Sequence, residues 1–159
     1  MFSSRSGIVH REVIELQARP EQVREFITTP ERILDYYPSP IEGGVIEQGR
    51  KIYCLGKAGV SLLEVVPEQS NEQLLVIKVT TASNIKPPYS EERIYAARFF
   101  TMYEDWQMEK TTQGTRLTKT WRDIEKHKMK YLPMGLIVRR SAKAESNELR
   151  IAWDRAAGN

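Results

Sequence analysis

The stretch QARPEQVREFITTPERILDYYPSP, residues 17–40, places two proline-led segments in succession after a first predicted strand. Pro20 suits the first turn of a helix because its missing N–H needs no partner there, and Pro30 begins a second such segment. Apolar residues follow each proline at helical spacing, but neither segment is long enough to be stable alone. We therefore predict two short helices that lie against a larger body and are followed by Tyr36 and Tyr37.

The residues on either side of this stretch alternate as strands do. Before it, the apolar residues of IELQA fall on one face of a strand, with Glu12 at the start of that face. After it, alternating or β-branched segments predict about six more strands. The last two, residues 99–111 and 115–125, are joined by a two-residue turn at positions 113–114.

From Leu132 onward the apolar period becomes that of a helix. The apolar stripe comprises Met134, Val138, Ala142, Leu149, Ala152 and Trp153. The order of elements predicts an α+β architecture, an antiparallel sheet with its helices on one face. We expect one domain spanning residues 1–159, because there is no internal repeat and the length fits one core.

Composition narrows the possible functions. The 24 basic and 21 acidic residues are dispersed and leave a net charge of +3, so nucleic-acid binding is not expected. No run of about 18 apolar residues occurs, so no transmembrane segment is predicted. The first residues lack the apolar middle of a secretory signal, and the lone Cys54 fits a reducing compartment, so we predict a cytoplasmic location.

Basic residues gather around the start of the long helix, and two interpretations of them remain open. They can meet an acidic partner or lipid headgroups, which makes peripheral membrane contact possible. A solvated helix end is the favoured alternative. The sequence gives no indication of an oligomeric state. The basic residues are Lys126, Lys128, Lys130, Arg139 and Arg140.

The order of these elements resembles the START-related SRPBCC superfamily, or polyketide cyclase/dehydrase group. The marks are the strand IELQA, the entry ARPEQVREFITTPERILDYYP, the segment GTRLTKTW and the final amphipathic helix. The resemblance implies a helix-grip fold, in which a seven-stranded antiparallel sheet wraps around a long C-terminal helix and two short helices lie between strands 1 and 2. It also implies an apolar cavity for a lipid, quinone or polyketide. Tyr36 and Tyr37 would lie near the cavity wall, unless they simply pack with their hydroxyls in solvent.

Two neighbouring strands carry polar residues on faces that are predicted to be buried. A two-residue turn would place Trp106 opposite Trp121 and Glu104 opposite Asp123. The candidates from these strands are Phe100, Met102, Glu104, Trp106, Lys119, Trp121 and Asp123.

On the final helix, Glu145 falls at the centre of the apolar stripe, with Ser141 and Ala142 about one turn earlier. Such small residues would leave room between the helix and the sheet. A buried carboxylate without a partner costs several kcal/mol or takes up a proton instead. We therefore predict one polar cluster of Glu104, Lys119, Asp123 and Glu145.

Three interpretations of this cluster stay open: a ligand-orienting or acid/base group in an apolar pocket, a structural ion pair involving Lys119, or strands that end sooner and leave the carboxylates in solvent. The first favours binding of a hydrophobic small molecule in an internal cavity. The alternative is an aromatase/cyclase-type enzyme with acid/base carboxylates, whose catalytic residues the sequence does not identify. One cysteine and two histidines match no zinc spacing, and nucleotide motifs are absent, so neither a metal nor a cofactor is predicted.

Overall fold

The computed structural model describes residues 7–28, 41–48, 51–56, 59–83, 85–128 and 131–157. The strands are β1 Ile8–Leu16, β2 Ile41–Gln48, β3 Lys51–Gly56, β4 Gly59–Val65, β5 Leu74–Ala82, β6 Arg98–Lys110 and β7 Thr115–Lys126. The helices are α1 Pro20–Thr28, α2 Glu91–Ala96 and α3 Met134–Ala157, with a short 3-10 turn at Pro67–Gln69. For β2 the backbone pairing with β3 is described and the side chains are not.

The strands form one antiparallel sheet in the order β1-β7-β6-β5-β4-β3-β2, and α3 packs against it at β1 and β7. The α+β class and an antiparallel sheet packed against the C-terminal helix are therefore confirmed. Helix α1 begins at Pro20, as expected of a proline in a first helical turn. The second short helix, predicted from Pro30, and both Tyr36 and Tyr37 lie outside the described residues.

The main core lies between the concave face of the sheet and helices α1 and α3. Val23 and Ile27 supply the buried stripe of α1. Leu149 is buried in the core near the far end of α3, and Trp153 packs edge-on against Phe26 at 5.0 Å between ring centroids. These contacts join the two helices over the same face of the sheet.

A second, smaller core lies on the opposite face, where α2 covers part of β4 and β5. Its buried strand residues, Tyr53, Val60, Leu62 and Ala82, alternate along the strands with those of the main core, and Ile94 of α2 packs on them. The expectation that the helices share one face of the sheet was therefore wrong. The reason is that residues on both faces of β3 to β5 are apolar, so the second face also needs a cover.

The predicted register of the β6–β7 hairpin was also wrong, by two residues. The connection is a four-residue loop at positions 111–114, closed by two backbone hydrogen bonds between the residues at its ends. Trp106 therefore lies opposite Lys119, and Glu104 lies opposite Trp121. Because side chains repeat every two residues along a strand, a shift of two keeps each of them on its predicted face.

Candidate functional site

Lys119 lies on β7, next to the edge strand β1, on the face of the sheet that α3 covers, and it is 1% exposed. Its ammonium donates a hydrogen bond to the carboxylate of Glu145 on α3, and Glu104 Oε1 on β6 lies 3.4 Å from the same nitrogen. Both carboxylates are buried. Strand alternation and the apolar stripe of α3 thus bring three of the four predicted cluster members together.

Two indole rings enclose the same ammonium. The Lys119 Nζ atom lies 3.8 Å from the ring centroid of Trp106 and 4.5 Å from that of Trp121. Both rings are almost completely buried. A cation held against aromatic faces is attracted to them most strongly when water is excluded, as it is here.

Burial lowers the pKa of Lys119 to about 8, while the negative charge of Glu104 acts in the opposite direction. Glu145 also favours the charged form, because its carboxylate accepts a hydrogen bond directly from the ammonium. The side chain is therefore mainly protonated at neutral pH, yet close to the range in which it exchanges a proton. Such a group can hold a polar atom of a ligand or act as a general acid or base.

The first strand adds two polar side chains that sequence reasoning did not assign to the site. Glu12 lies opposite Lys119 in the β1–β7 register, and its Oε1 lies 2.7 Å from His10 Nε2. The His10 ring in turn packs against Trp121, with 5.6 Å between ring centroids. The sequence placed Glu12 on the apolar face of its strand, but nothing in the sequence identified the partner strand.

Cys54 on β3 also faces the concave side. Burial raises the pKa of its thiol to about 12, and the charge of Glu104 adds to the effect. The thiolate is the nucleophilic form of cysteine, so this side chain behaves as a small apolar residue.

Asp123 does not belong to the cluster, which corrects its predicted position. It has a positive φ of 56°, at a bulge that interrupts the β6–β7 register. The bulge reverses the alternation, so Asp123 is exposed and Ile124 packs against the main core instead. The Asp123 carboxylate accepts a hydrogen bond from Arg122 on the outer side, 2.7 Å away.

The remaining predicted site residues divide between the core and the surface. Ala142 is completely buried, and Met102 and the half-buried Phe100 pack in the main core. Ser141 is exposed, which corrects its predicted place beside Ala142 on the sheet-facing side. Successive residues on a helix point about 100° apart, so the two positions need not share a face.

Part of the basic group has structural partners. Arg139 donates to the Val9 carbonyl oxygen at 3.0 Å, and Lys126 donates to that of Leu132 at 3.2 Å. Lys128 and Arg140 are exposed. Lys130 lies outside the described residues.

Two findings hold for the part of the chain that the structure describes. No group of three or more His, Cys, Asp or Glu side chains is placed to hold a metal ion. No helix is both long enough and apolar enough to cross a bilayer.

Solved structures share this architecture. A conserved protein from Geobacillus kaustophilus has 12% identity and a TM-score of 0.65, over 92% of this chain and 95% of that one. A START superfamily protein from Mycobacterium smegmatis has 14% identity and a TM-score of 0.58, over 92% and 94%. DynU16, from the dynemicin biosynthetic locus, has 13% identity and a TM-score of 0.56, over 94% of this chain and 47% of its own.

No protein-family model matches the sequence, and no curated protein is significantly similar to it. The likeness to solved structures shows that the chain has a START-like fold. In this chain the ionic cluster lies on the face of the sheet that α3 covers.

Proposed function

We propose that the protein binds a hydrophobic small molecule of the lipid, quinone or polyketide class between the concave face of the sheet and α3. The observation that carries the proposal is the ionic cluster of Lys119, Glu104 and Glu145 beneath that helix. Replacing a buried ion pair by apolar residues of similar volume is often neutral or stabilising. Stability alone therefore does not require this cluster. Binding of a polar group on a ligand explains its presence more readily.

The surroundings of the cluster support an apolar ligand with one polar end. The Trp106 and Trp121 rings lie beside the ammonium, and Met102 and Phe100 continue the same apolar surface along β6. Sites for small molecules are usually apolar with a few placed polar groups. In this proposal Tyr36 and Tyr37 contribute to the rim, and Ala142 leaves space beneath α3.

The structural relatives support the same class of function. One is a START superfamily protein, and another comes from a biosynthetic locus. Fold alone does not determine function, so these likenesses add to the argument from the site and do not replace it. We propose that the protein works in the cytoplasm as a ligand-binding domain; peripheral membrane contact through Lys128 and Arg140 is a secondary proposal.

One observation favours a second candidate, an aromatase/cyclase-type enzyme. Burial brings the pKa of Lys119 to about 8, and two carboxylates lie beside it. A group that titrates near neutral pH can transfer a proton in either direction, as acid/base catalysis requires. Here Lys119 would exchange protons with a bound substrate, and Glu104 and Glu145 would stabilise its charged form.

The experiment combines native mass spectrometry, which detects a co-purified ligand, with uptake of the neutral fluorescent dye Nile red. Ala142→Phe would occupy the proposed ligand space beneath α3 and should abolish dye uptake, with an unchanged far-UV circular dichroism spectrum. Ala144→Phe, at an exposed position of the same helix, is the matched control and should leave uptake unchanged. Equal uptake by wild type and a folded Ala142→Phe variant would show that the ligand site is elsewhere or absent.

A further inference from the structure

We infer that the polar end of the ligand is a protonated amine, which docks against Glu104. The inference rests on the proposed function and adds to it the chemical class of the ligand. It follows from the charges of the cluster, from the exposure of its members and from a buried hydroxyl, next to Glu145 in sequence, that has no partner among the described residues.

The cluster contains one positive charge and two carboxyl groups. Lys119 and Glu145 are joined by a direct hydrogen bond, and Glu104 Oε1 lies 3.4 Å from the same nitrogen. Charge-assisted hydrogen bonds are usually about 2.7–2.9 Å long. Glu104 is therefore a second carboxylate beside a cation that is already paired with Glu145. A buried carboxylate whose negative charge is not fully balanced is unfavourable. A second cation would make the cluster neutral.

Exposure and hydrogen bonding together point to Glu104 as the group that meets the ligand. The Lys119 side chain is 1% exposed, whereas those of Glu104 and Glu145 are 10% and 9% exposed. Glu145 already accepts a direct hydrogen bond from Lys119, which leaves Glu104 for the ligand. Glu12, opposite Lys119 on β1, adds a further carboxyl group, and its side chain is 28% exposed. The more accessible members of this region are thus acidic, which favours a cationic ligand over an anionic one.

An independent observation comes from α3. Ser146, the residue after Glu145, is 6% exposed, and its hydroxyl has no hydrogen-bond partner among the residues that the structure describes. A buried hydroxyl without a partner costs about 1–3 kcal/mol, so such groups are usually satisfied by something. An ammonium has several N–H donors, so an amine bound at Glu104 has donors left for a further acceptor. A buried hydroxyl on α3 therefore favours a ligand that carries hydrogen-bond donors.

Three naphthalene compounds that differ in charge provide the test at neutral pH: naphthylmethylamine, naphthylmethanol and naphthoic acid. Each is titrated as a competitor against Nile red on the wild-type protein. We expect the amine to displace the dye at a concentration about tenfold lower than the alcohol, and the acid to be weakest. Glu104→Gln should remove the difference between amine and alcohol, with each competitor measured against the affinity that this variant itself has for Nile red. Glu109→Gln, at an exposed position of the same strand, should retain the difference.

The outcomes separate this inference from the proposed function. If Nile red binds and the amine and alcohol displace it equally from wild type, the inference is wrong and the proposed function stands. If Nile red does not bind to the wild-type protein, both are wrong. The wild-type ranking of the three compounds decides the matter even if Glu104→Gln fails to fold.

Discussion

The ammonium of Lys119 on β7 donates a hydrogen bond to the carboxylate of Glu145 on α3, and neither side chain has more than slight contact with solvent. This bond joins the last strand to the last helix at the centre of the main core. Any movement of α3 away from the sheet would separate two opposite charges in an apolar environment. The position of the helix is therefore coupled to the ionisation of the cluster.

Lys119→Met should destabilise the protein by about 3–5 kcal/mol, because it leaves Glu104 and Glu145 buried without their cation. Chemical denaturation at neutral pH measures the change. Lys143→Met, at an exposed position of α3, is the matched control and should change the free energy of unfolding by less than about 0.5 kcal/mol. Equal stability of wild type and Lys119→Met would mean that the carboxylates have other partners or are protonated.

Stability should depend on pH through Lys119. Burial lowers the pKa of this group to about 8 from its ordinary 10.5, so between these values the unfolded chain binds more protons than the folded protein. The contribution of Lys119 to the free energy of unfolding therefore rises with pH across that window and is constant below it.

Other lysines act in the opposite direction. Lys51 and Lys78 donate hydrogen bonds to Glu91 and Tyr95 respectively, and these bonds raise the pKa values of the two lysines, so the stability that they contribute is lost at high pH. The quantity to measure is therefore the difference in free energy of unfolding between wild type and Lys119→Met. Urea denaturation gives it at a series of pH values from neutral up to the ordinary lysine pKa of 10.5. Parallel curves for the two proteins across the window would contradict a lowered pKa for Lys119.

Leu149→Ala should cost about 2–5 kcal/mol, as expected for a leucine in a close-packed core. Leu149 is 1% exposed on the sheet-facing side of α3. Ile151→Ala, on the same helix but 43% exposed, should cost much less. Thermal unfolding of both variants provides the comparison. A similar loss from both would show that α3 is buried on a different face.

Gly114→Ala should be destabilising by about 1–3 kcal/mol, because it strains the backbone. Gly114 has a φ of +150°, and an added Cβ would lie 2.2 Å from the carbonyl oxygen of Leu16. Gly135→Ala is the control, because its Cβ would have no neighbour within 4 Å and alanine favours a helix. We expect the control to be neutral or slightly stabilising. If the denaturant midpoints of Gly114→Ala and Gly135→Ala shift by the same amount, the backbone has moved to relieve the close contact at position 114.

The sequence predicted the architecture because its signals are local. The start of α1 at Pro20, the change from strand to helical period near Leu132 and the burial of Glu145 all follow from spacing within one element. The inward orientation of Glu104 and Lys119 follows in the same way. Alternation fixes the face of a strand without any knowledge of its neighbours.

Apart from Ser141, whose exposure follows from the turn of a single helix, the failures have a different cause, since they depend on how two elements meet. The hairpin register depended on loop length, and a four-residue loop moved Trp106 opposite Lys119. The exposure of Asp123 depends on a bulge that the sequence does not mark with a glycine. Glu12 was missed because the pairing of β1 with β7 joins residues far apart in the chain.

That pairing has a consequence for how the protein acquires its site. The hydrogen bond between Arg11 and Thr120 spans 109 positions, and Glu12 pairs with Lys119 over a similar separation. Contacts of such high contact order form slowly, on a scale of about milliseconds to seconds, because loop closure must precede any gain from pairing. During synthesis the early strands leave the ribosome long before their partner exists. The strand β1 can dock only after β7 has been synthesised, and the ionic cluster is completed later still, because Glu145 lies on α3.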